Sequence, residues 1–486
     1  MRNKIFTDSM ALSCVKIFTM ASSILSTMVL SKTLPLEEYG TYSTGNLIIT
    51  TATLISAFGL IDAVNFYYNG KKAEEREKYV NTIFSIIVIC GGIAGMSILL
   101  AQNILTVYFH NPMLHIVYAY IAFRPLIENL SLGLQNLQVS IGKAKMVAIR
   151  NAIMSVTKLG AVIVTVLYTK DILTIFKSIL IVDTISVIVF YKILKENGVQ
   201  INLFKSEWNK VKEILVFCIP LGIYIQTNAL SRDLDKYVIG FFEPTERLAI
   251  YTNCSTKLPF DLLSGPLVVL LIPLLTRCIQ KADYKNGVKL FQSYLKAGYI
   301  STLSFGFGVI LVASETIEFL YGSKYLSGIF VFNIYIIVDM INFISYSLVL
   351  SAKGKTKDLM VVSCSALVIN AVINYLLYSV LGFVGPAIAT VIITAGVSFV
   401  LLRKSALILK KDIAGLFDIR HILKFGVEIV VLFLTFSFIK KYLISLGAHY
   451  IIILVTVGGA FVISLLLINI KEIKNCFIVL NAINKS

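Results

Sequence analysis

The sequence predicts an all-α protein that crosses a membrane about fourteen times. Three observations carry this reading. Apolar residues make up 57% of the 486-residue chain, charged residues only 15%, and the mean hydropathy is +0.83. A soluble domain has roughly 45–50% apolar and ~25% charged residues. Apolar runs close to the ~20 residues that a helix needs to cross the hydrocarbon core recur from end to end. A sequence repeat then divides the chain into two six-helix halves followed by a further pair of helices.

Helices inside a bundle are apolar nearly all round, so length and flanking breakers set the boundaries rather than periodicity. Segment 1 (10–31) stops before Leu34-Pro35-Leu36-Glu37-Glu38, and segment 2 (40–61) before Gly70-Lys71-Lys72. Segments 3 (80–101) and 4 (113–137) flank Asn111-Pro112, and segment 5 (147–168) follows Gly142-Lys143. Segment 6 (172–191) leads into a basic linker. Segments 7 (214–234) and 8 (248–274) carry Pro220, Pro259, Pro266 and Pro273. Three prolines in segment 8 should interrupt its hydrogen-bond ladder repeatedly and make it a kinked, movable element. Segments 9 (291–313), 10 (326–350), 11 (358–378), 12 (382–402), 13 (422–439) and 14 (450–469) complete the set.

Lys and Arg crowd alternate loops. Five lie in 192–213 and four in 275–290, whereas 102–112 and 379–381 hold none. Basic loops stay cytoplasmic, so both termini are expected on that side. The same asymmetry accounts for the net charge of +17 without nucleic acid, since basic loops meet anionic headgroups.

The repeat lies in the hairpins. Pro35, Glu37 and Tyr42, after segment 1, match Pro244, Glu246 and Tyr251, after segment 7, at an offset of 209. Gly142-Lys-Ala-Lys145 and Gly354-Lys-Thr-Lys357 match at an offset of 212, after segments 4 and 10. Six spans per unit give halves of the same orientation, related by an axis along the membrane normal. The expected division is an N-lobe at 1–195, a cytoplasmic linker at 196–213, a C-lobe at 214–403, and segments 13–14 with a tail at 404–486.

Several classes are excluded. The seven Cys are scattered with no C-x-x-C, and the four His form neither H-E-x-x-H nor a cluster, so no metal site or disulfide framework is expected. No P-loop motif is present. The first apolar run contains Lys16 and lacks a small-residue cleavage site, so no cleavable leader is expected. No cofactor and no catalytic residue are expected.

At the level of motifs the chain resembles the polysaccharide transporter (O-antigen flippase) family of the multidrug/oligosaccharidyl-lipid/polysaccharide exporter superfamily. The resemblance rests on Leu34-Pro-Leu-Glu-Glu-Tyr-Gly-Thr-Tyr42, Asp235-Lys-Tyr-Val-Ile-Gly-Phe241, Ala249-Ile-Tyr251, Leu320-Tyr-Gly-Ser-Lys-Tyr325 and Ala352-Lys-Gly-Lys-Thr356. Asn370 and Asn374 followed by Gly382-Phe-Val-Gly-Pro-Ala-Ile-Ala-Thr390 extend it, with Pro386 where the family usually has Ala. The resemblance implies two lobes around a central cavity that opens alternately to each side. It implies a cargo of undecaprenyl-diphosphate-linked oligosaccharide for O-antigen and lipopolysaccharide, capsule or exopolysaccharide assembly. It implies a bacterial inner membrane, a secondary transporter rather than an enzyme, and as partners membrane lipids, a polysaccharide polymerase and a chain-length regulator. A drug or cation exporter of the same superfamily is the alternative reading; a membrane polymerase fits less well, because no long external loop carries paired acids.

Ionisable residues inside spans are costly and are read first as functional. Superfamily members line their cavity with helices 1, 2, 7 and 8. Lys16 in segment 1 and Lys257 in segment 8 are the expected phosphate ligands, with Asp261 four residues after Lys257. Snorkelling of Lys16 and an i,i+4 pair of Lys257 with Asp261 are the structural alternatives. Arg124 and Glu128, also i,i+4, read as a buried neutralised pair or as substrate or proton ligands. Arg232, Asp233, Asp235 and Lys236 read as an outer gate latch or interfacial cap, and Asp62 as the cytoplasmic end of segment 2 or an inner gate. Asp183 and Asp339 are candidates for a coupling proton or Na⁺, while Lys158, Lys177 and Lys296 read as snorkelling or paired. Asn370 and Asn374 read as interhelical glue, Gly91, Gly92 and Gly95 as a packing surface, and Gly306 and Gly308 as a bend.

Overall fold

The computed structural model describes residues 2–259 and 264–485; the side chains of 1–14, 16, 73, 74, 260–267, 269, 270 and 481–486 lie outside the described set. Among the described residues there is no strand.

Among the described residues each of the fourteen segments is helical; three are split, and in segment 14 a π-helical stretch (Leu454–Gly459) joins α19 to α20. The chain runs through α1 (Arg2–Thr33), α2 (Leu36–Ala57), α3 (Leu60–Gly70), α4 (Ala73–Leu100), α5 (Gln102–Tyr108), α6 (Leu114–Ser140) and α7 (Ala144–Tyr168). It continues with α8 (Ile172–Glu196), α9 (Val211–Phe242), α10 (Thr245–Cys254), α11 (Ser264–Gln280), α12 (Tyr284–Leu311), α13 (Ala313–Leu320) and α14 (Ile329–Ile341). α15 (Leu348–Ala352), α16 (Thr356–Leu381), α17 (Gly385–Ile408), α18 (Ile419–Ser445), α19 (Tyr450–Ile453), α20 (Ala460–Ile468) and α21 (Ile470–Lys485) complete it. Segment 2 is α2 plus α3, segment 8 is α10 plus α11, and segment 10 is α14 plus α15.

The surface is what lipid demands. Leu100, Leu167, Phe330 and Phe438 are each more than 70% exposed, and such residues recur along the helices. The interior holds hydroxyls and amides, with Thr41, Thr44, Asn129 and Asn374 fully buried. Apolar outside and hydrogen-bonded inside is the distribution of a bilayer-spanning bundle.

Contacts divide the chain into two units, 1–250 and 251–486. In the first, α4 and α6 meet through glycine: a Cβ on Gly91 would sit 2.8 Å from Leu126 Cα, and one on Gly95 2.4 Å from Ala122 O, whereas Gly92 faces open space. Two of the three expected packing glycines therefore let backbones touch.

The break between α2 and α3 lies at Phe58 and Gly59, both left-handed, with φ of +33° and +77°. A Cβ on Gly59 would meet Cys218 O at 2.8 Å, so α9 passes against this break. Asp62 consequently lies in the first turn of a second helical piece and not at the end of segment 2, a correction to the sequence reading. Its carboxylate sits there at the positive end of α3. α9 is tied further to this unit: Tyr67 Oη donates to Glu213 O (3.1 Å), Lys71 pairs with Glu213 (3.0 Å), and Gln226 Nε2 donates to Leu54 O (3.1 Å). The spatial boundary at 250 thus follows segment 7, whereas the sequence repeat opens its second half at 214.

Among the described residues segment 8 is interrupted once, next to Pro259, and not repeatedly as its three prolines predict: Pro266 and Pro273 lie within the continuous helix α11. α10 ends at Cys254, Ser255–Pro259 are non-helical, and α11 begins at Ser264. α12 is helical without a break from Tyr284 to Leu311, through Gly306 and Gly308. Their missing side chains admit Met340 and Val462 instead, at 2.4 and 2.6 Å from a built Cβ.

Candidate functional site

The first unit encloses a polar hollow of about 470 Å³ between α1, α2, α6, α7 and α8. α1 contributes Ser22, Ser23 and Ser26, on one helical face by their spacing, and the amides Asn46, Gln135 and Asn151 come from three other helices. Among the described residues three cations and one acid line it: Arg124 on α6, Arg150 and Lys158 on α7, and Asp183 on α8.

These charges form one network. Arg124 pairs with Glu128 on its own helix and approaches Asp183 across to α8 at 3.3 Å. Lys158 closes the other side of Asp183. Thr53 Oγ1 on α2 donates to the second oxygen of Glu128 at 3.1 Å. Arg124 and Asp183 are 7% and 6% exposed, so both charges are held where desolvation is costly and partners are obligatory. With Glu128 behind the wall, three positive charges face two negative ones.

Arg150 is bound differently. Its guanidinium stacks on the Phe190 ring, Nη2 donates to Ser186 O at 3.1 Å, and Nη1 donates to Asn151 Oδ1 at 2.9 Å. Asn151 Nδ2 in turn donates to Gln135 Oε1 at 3.2 Å. Among the described residues no carboxylate oxygen lies within 4.0 Å of Arg150, and its Nε–H has no acceptor.

The expected residues fall in different places. Arg124, Glu128 and Asp183 come together, and Lys158 joins them as an ion-pair partner. Asp183, expected to be available to a coupling ion, is held by two cations. The Lys16 side chain and Asp261 lie outside the described residues. Lys257 is exposed in the non-helical stretch after Cys254 and not on a helical turn, so the i,i+4 geometry expected with Asp261 has no helix to support it there. Pro259, two residues on, disfavours helix at this point.

Asp233 pairs with Lys236 at 2.6 Å, Asp235 is buried and accepts from Lys236 N–H at 2.8 Å, and Arg232 is exposed, all on α9. Asp339 is buried in the second unit, where its Oδ2 accepts Leu258 N–H at 3.1 Å. It therefore satisfies a backbone donor that the break in segment 8 releases. Lys177 lies over the Tyr120 ring, Lys296 pairs with Asp418 and Glu472, and Asn374 donates to Asn370 Oδ1 at 2.8 Å.

Sequence reasoning missed Arg150, Asn151, Gln135 and the α1 serines. Arg150 stands three residues inside segment 5, where it reads as a boundary cation. The i,i+1,i+4 serines were the available signal, since a hydroxyl cluster within an apolar run marks a polar face.

Comparison with known proteins gives a consistent fold. Residues 29–329 match the family described as polysaccharide biosynthesis protein. No curated protein matches the chain. Among solved structures, the lipid II flippase MurJ in an inward closed conformation superposes with a TM-score of 0.74 at 15% identity, covering 95% of this chain and 99% of that one. An inward-facing multidrug resistance transporter of the MATE family, in the MOP superfamily, gives 0.63 at 12% identity over 81% and 94%. A MOP superfamily transporter from Pyrococcus furiosus gives 0.59 at 12% identity over 84% and 96%. At these identities the likeness is one of fold.

Proposed function

Because the chain belongs to the polysaccharide biosynthesis protein family, with a polytopic fold like those of a lipid flippase and MOP superfamily transporters, we propose that it flips a lipid-linked oligosaccharide. The cargo in this reading is an undecaprenyl-diphosphate-linked repeat unit, moved by alternating access from the cytoplasmic to the outer leaflet for O-antigen, capsule or exopolysaccharide assembly. The observation that carries the reading is the polar hollow of the first unit. A glycan head leaving water must exchange its hydration shell for fixed hydroxyls, amides and charges, and such a lining is what Ser22, Ser23, Asn46, Gln135 and Asn151 offer.

The excess of cations over acids speaks against the rival reading, an exporter of toxic cations, for which acids should dominate. The two sequence repeats are read as functional halves, with Lys16 and Lys257 as diphosphate ligands and an ion gradient as the energy source. A polymerase and a chain-length regulator are the expected partners. Both termini are placed in the cytoplasm on the loop charges.

The test is leaflet transfer of a fluorescent lipid-linked oligosaccharide in proteoliposomes, beside uptake of a cationic dye. Glycan-lipid transfer without dye transport is expected. Dye transport without glycan-lipid transfer would replace this reading by the exporter.

A further inference from the structure

We infer that the hollow of the first unit is a selectivity site for an acidic sugar, whose carboxylate docks on Arg150. The inference rests on the flippase reading and specifies its substrate class.

Arg124 and Lys158 already face carboxylates, through Glu128 and Asp183. Arg150 does not. It is 7% exposed and touches only neutral acceptors, the Ser186 carbonyl and the Asn151 amide oxygen. A guanidinium has five N–H donors, and this one retains a buried Nε–H without an acceptor. A buried cation with no carboxylate in contact and an unmet donor is costly to the resting protein, and an incoming anion lowers both costs.

The rest of the wall says which anion. Among the described residues, three cations against Asp183 and Glu128 leave one unmatched positive charge, which suits a monoanion. A diphosphate would bring a second negative charge toward two fixed carboxylates. Around Arg150 the wall is amide and hydroxyl: Asn151, Gln135, Ser155 and Ser186. These are partners for ring hydroxyls flanking an acid. The planar guanidinium matches a carboxylate edge in shape as well as charge. Phe190 and the Ser186 carbonyl fix the guanidinium, so little ordering remains to be done on binding.

The test uses the full-length protein in lipid nanodiscs and calorimetric titration with a glucuronate-containing disaccharide, its neutral glucose counterpart and inorganic pyrophosphate. The acid is expected to bind about tenfold or more tightly than the neutral sugar. Arg150→Gln should erase that preference and Arg150→Lys should keep part of it, which separates loss of charge from loss of fold. Equal binding of the two sugars by the wild type, or a preference indifferent to Arg150→Gln, overturns the inference. So does pyrophosphate displacing the acidic sugar with equal strength, which would give the site to the diphosphate. A second arm measures leaflet transfer of the acidic and neutral lipid-linked forms. Transfer without acid preference defeats this inference alone. Acid-selective, Arg150-dependent binding without any transfer keeps the anion subsite and defeats the flippase reading.

Discussion

The two units each hold a hollow, and the two hollows are chemical opposites. That of the first unit, about 470 Å³, is lined by serines, amides and four charged side chains. That of the second, about 580 Å³, is lined by Leu303, Phe307, Phe343, Phe425, Phe433 and similar residues from α12, α18 and the turn after α14. Charges in the second unit lie elsewhere: Lys296 with Asp418 and Glu472, and Lys440 with Glu315 at 2.8 Å. Inside a bilayer an apolar hollow costs nothing to maintain, because lipid chains can fill it. A charged one persists only if its charges compensate one another and some polar species visits it. The difference therefore points to the first unit as the place where a hydrophilic head is handled.

The largest predicted effect comes from breaking the ion pairs of the polar hollow. Arg124→Ala would take from Glu128 its ion-pair partner and leave Asp183 paired with Lys158. Removing one partner of a buried pair costs about 3–5 kcal/mol, so thermal unfolding in detergent should show a severely destabilised protein. The double change Arg124→Met with Glu128→Gln should recover part of that loss; if it unfolds as early as the single variant, the network is not a matter of charge balance.

The next effect is steric and concerns the frame. Gly95→Ala puts a methyl 2.4 Å from the Ala122 carbonyl, and overpacking of this kind costs about 1–3 kcal/mol. Gly92→Ala, one turn-face away in open space, should unfold like the wild type.

A smaller loss is expected from Tyr299→Phe in the second unit. It removes the 2.7 Å hydrogen bond to His421, which is 8% exposed, and should cost about 1–2 kcal/mol in the same measurement. An effect as large as that of Arg124→Ala would erase the contrast between the units.

The smallest effect is one of pH. Asp418 and Glu472, outside the spans, have pKa values held below the ordinary carboxylate range, first by hydrogen bonding to Lys296. A depressed folded pKa contributes stability above the unfolded value, and this is lost as pH falls through the folded one. Mild acid below about pH 4 should therefore loosen α18 and α21, seen as faster amide exchange there. Lys296→Met should remove this acid dependence, and persistence of the dependence would assign it to other groups.

Much of this architecture was readable from residues alone. Fourteen apolar runs became fourteen helical segments because bilayer thickness sets their length, and of the three prolines of segment 8 only Pro259 marked its interruption. The first unit's chemistry was readable only in part. Arg124 and Glu128 share a helix, so spacing finds them. Arg124 and Lys158 meet Asp183 across three helices, and no spacing along one chain says which faces converge. Arg150 was hidden by its nearness to a helix end. Asp62 was misplaced because a helix can resume after a left-handed turn at Phe58 and Gly59, and nothing in the apolar pattern marks that restart.

The polar hollow as the handling site can be tested by filling it. Ser155→Trp would place an indole in the hollow of the first unit, and Leu434→Trp would do the same in the apolar one. Transfer of a fluorescent lipid-linked oligosaccharide across proteoliposomes is compared for both. The account predicts that Ser155→Trp stops transfer while Leu434→Trp transfers near the wild-type rate. Wild-type transfer by a correctly folded Ser155→Trp protein would contradict it.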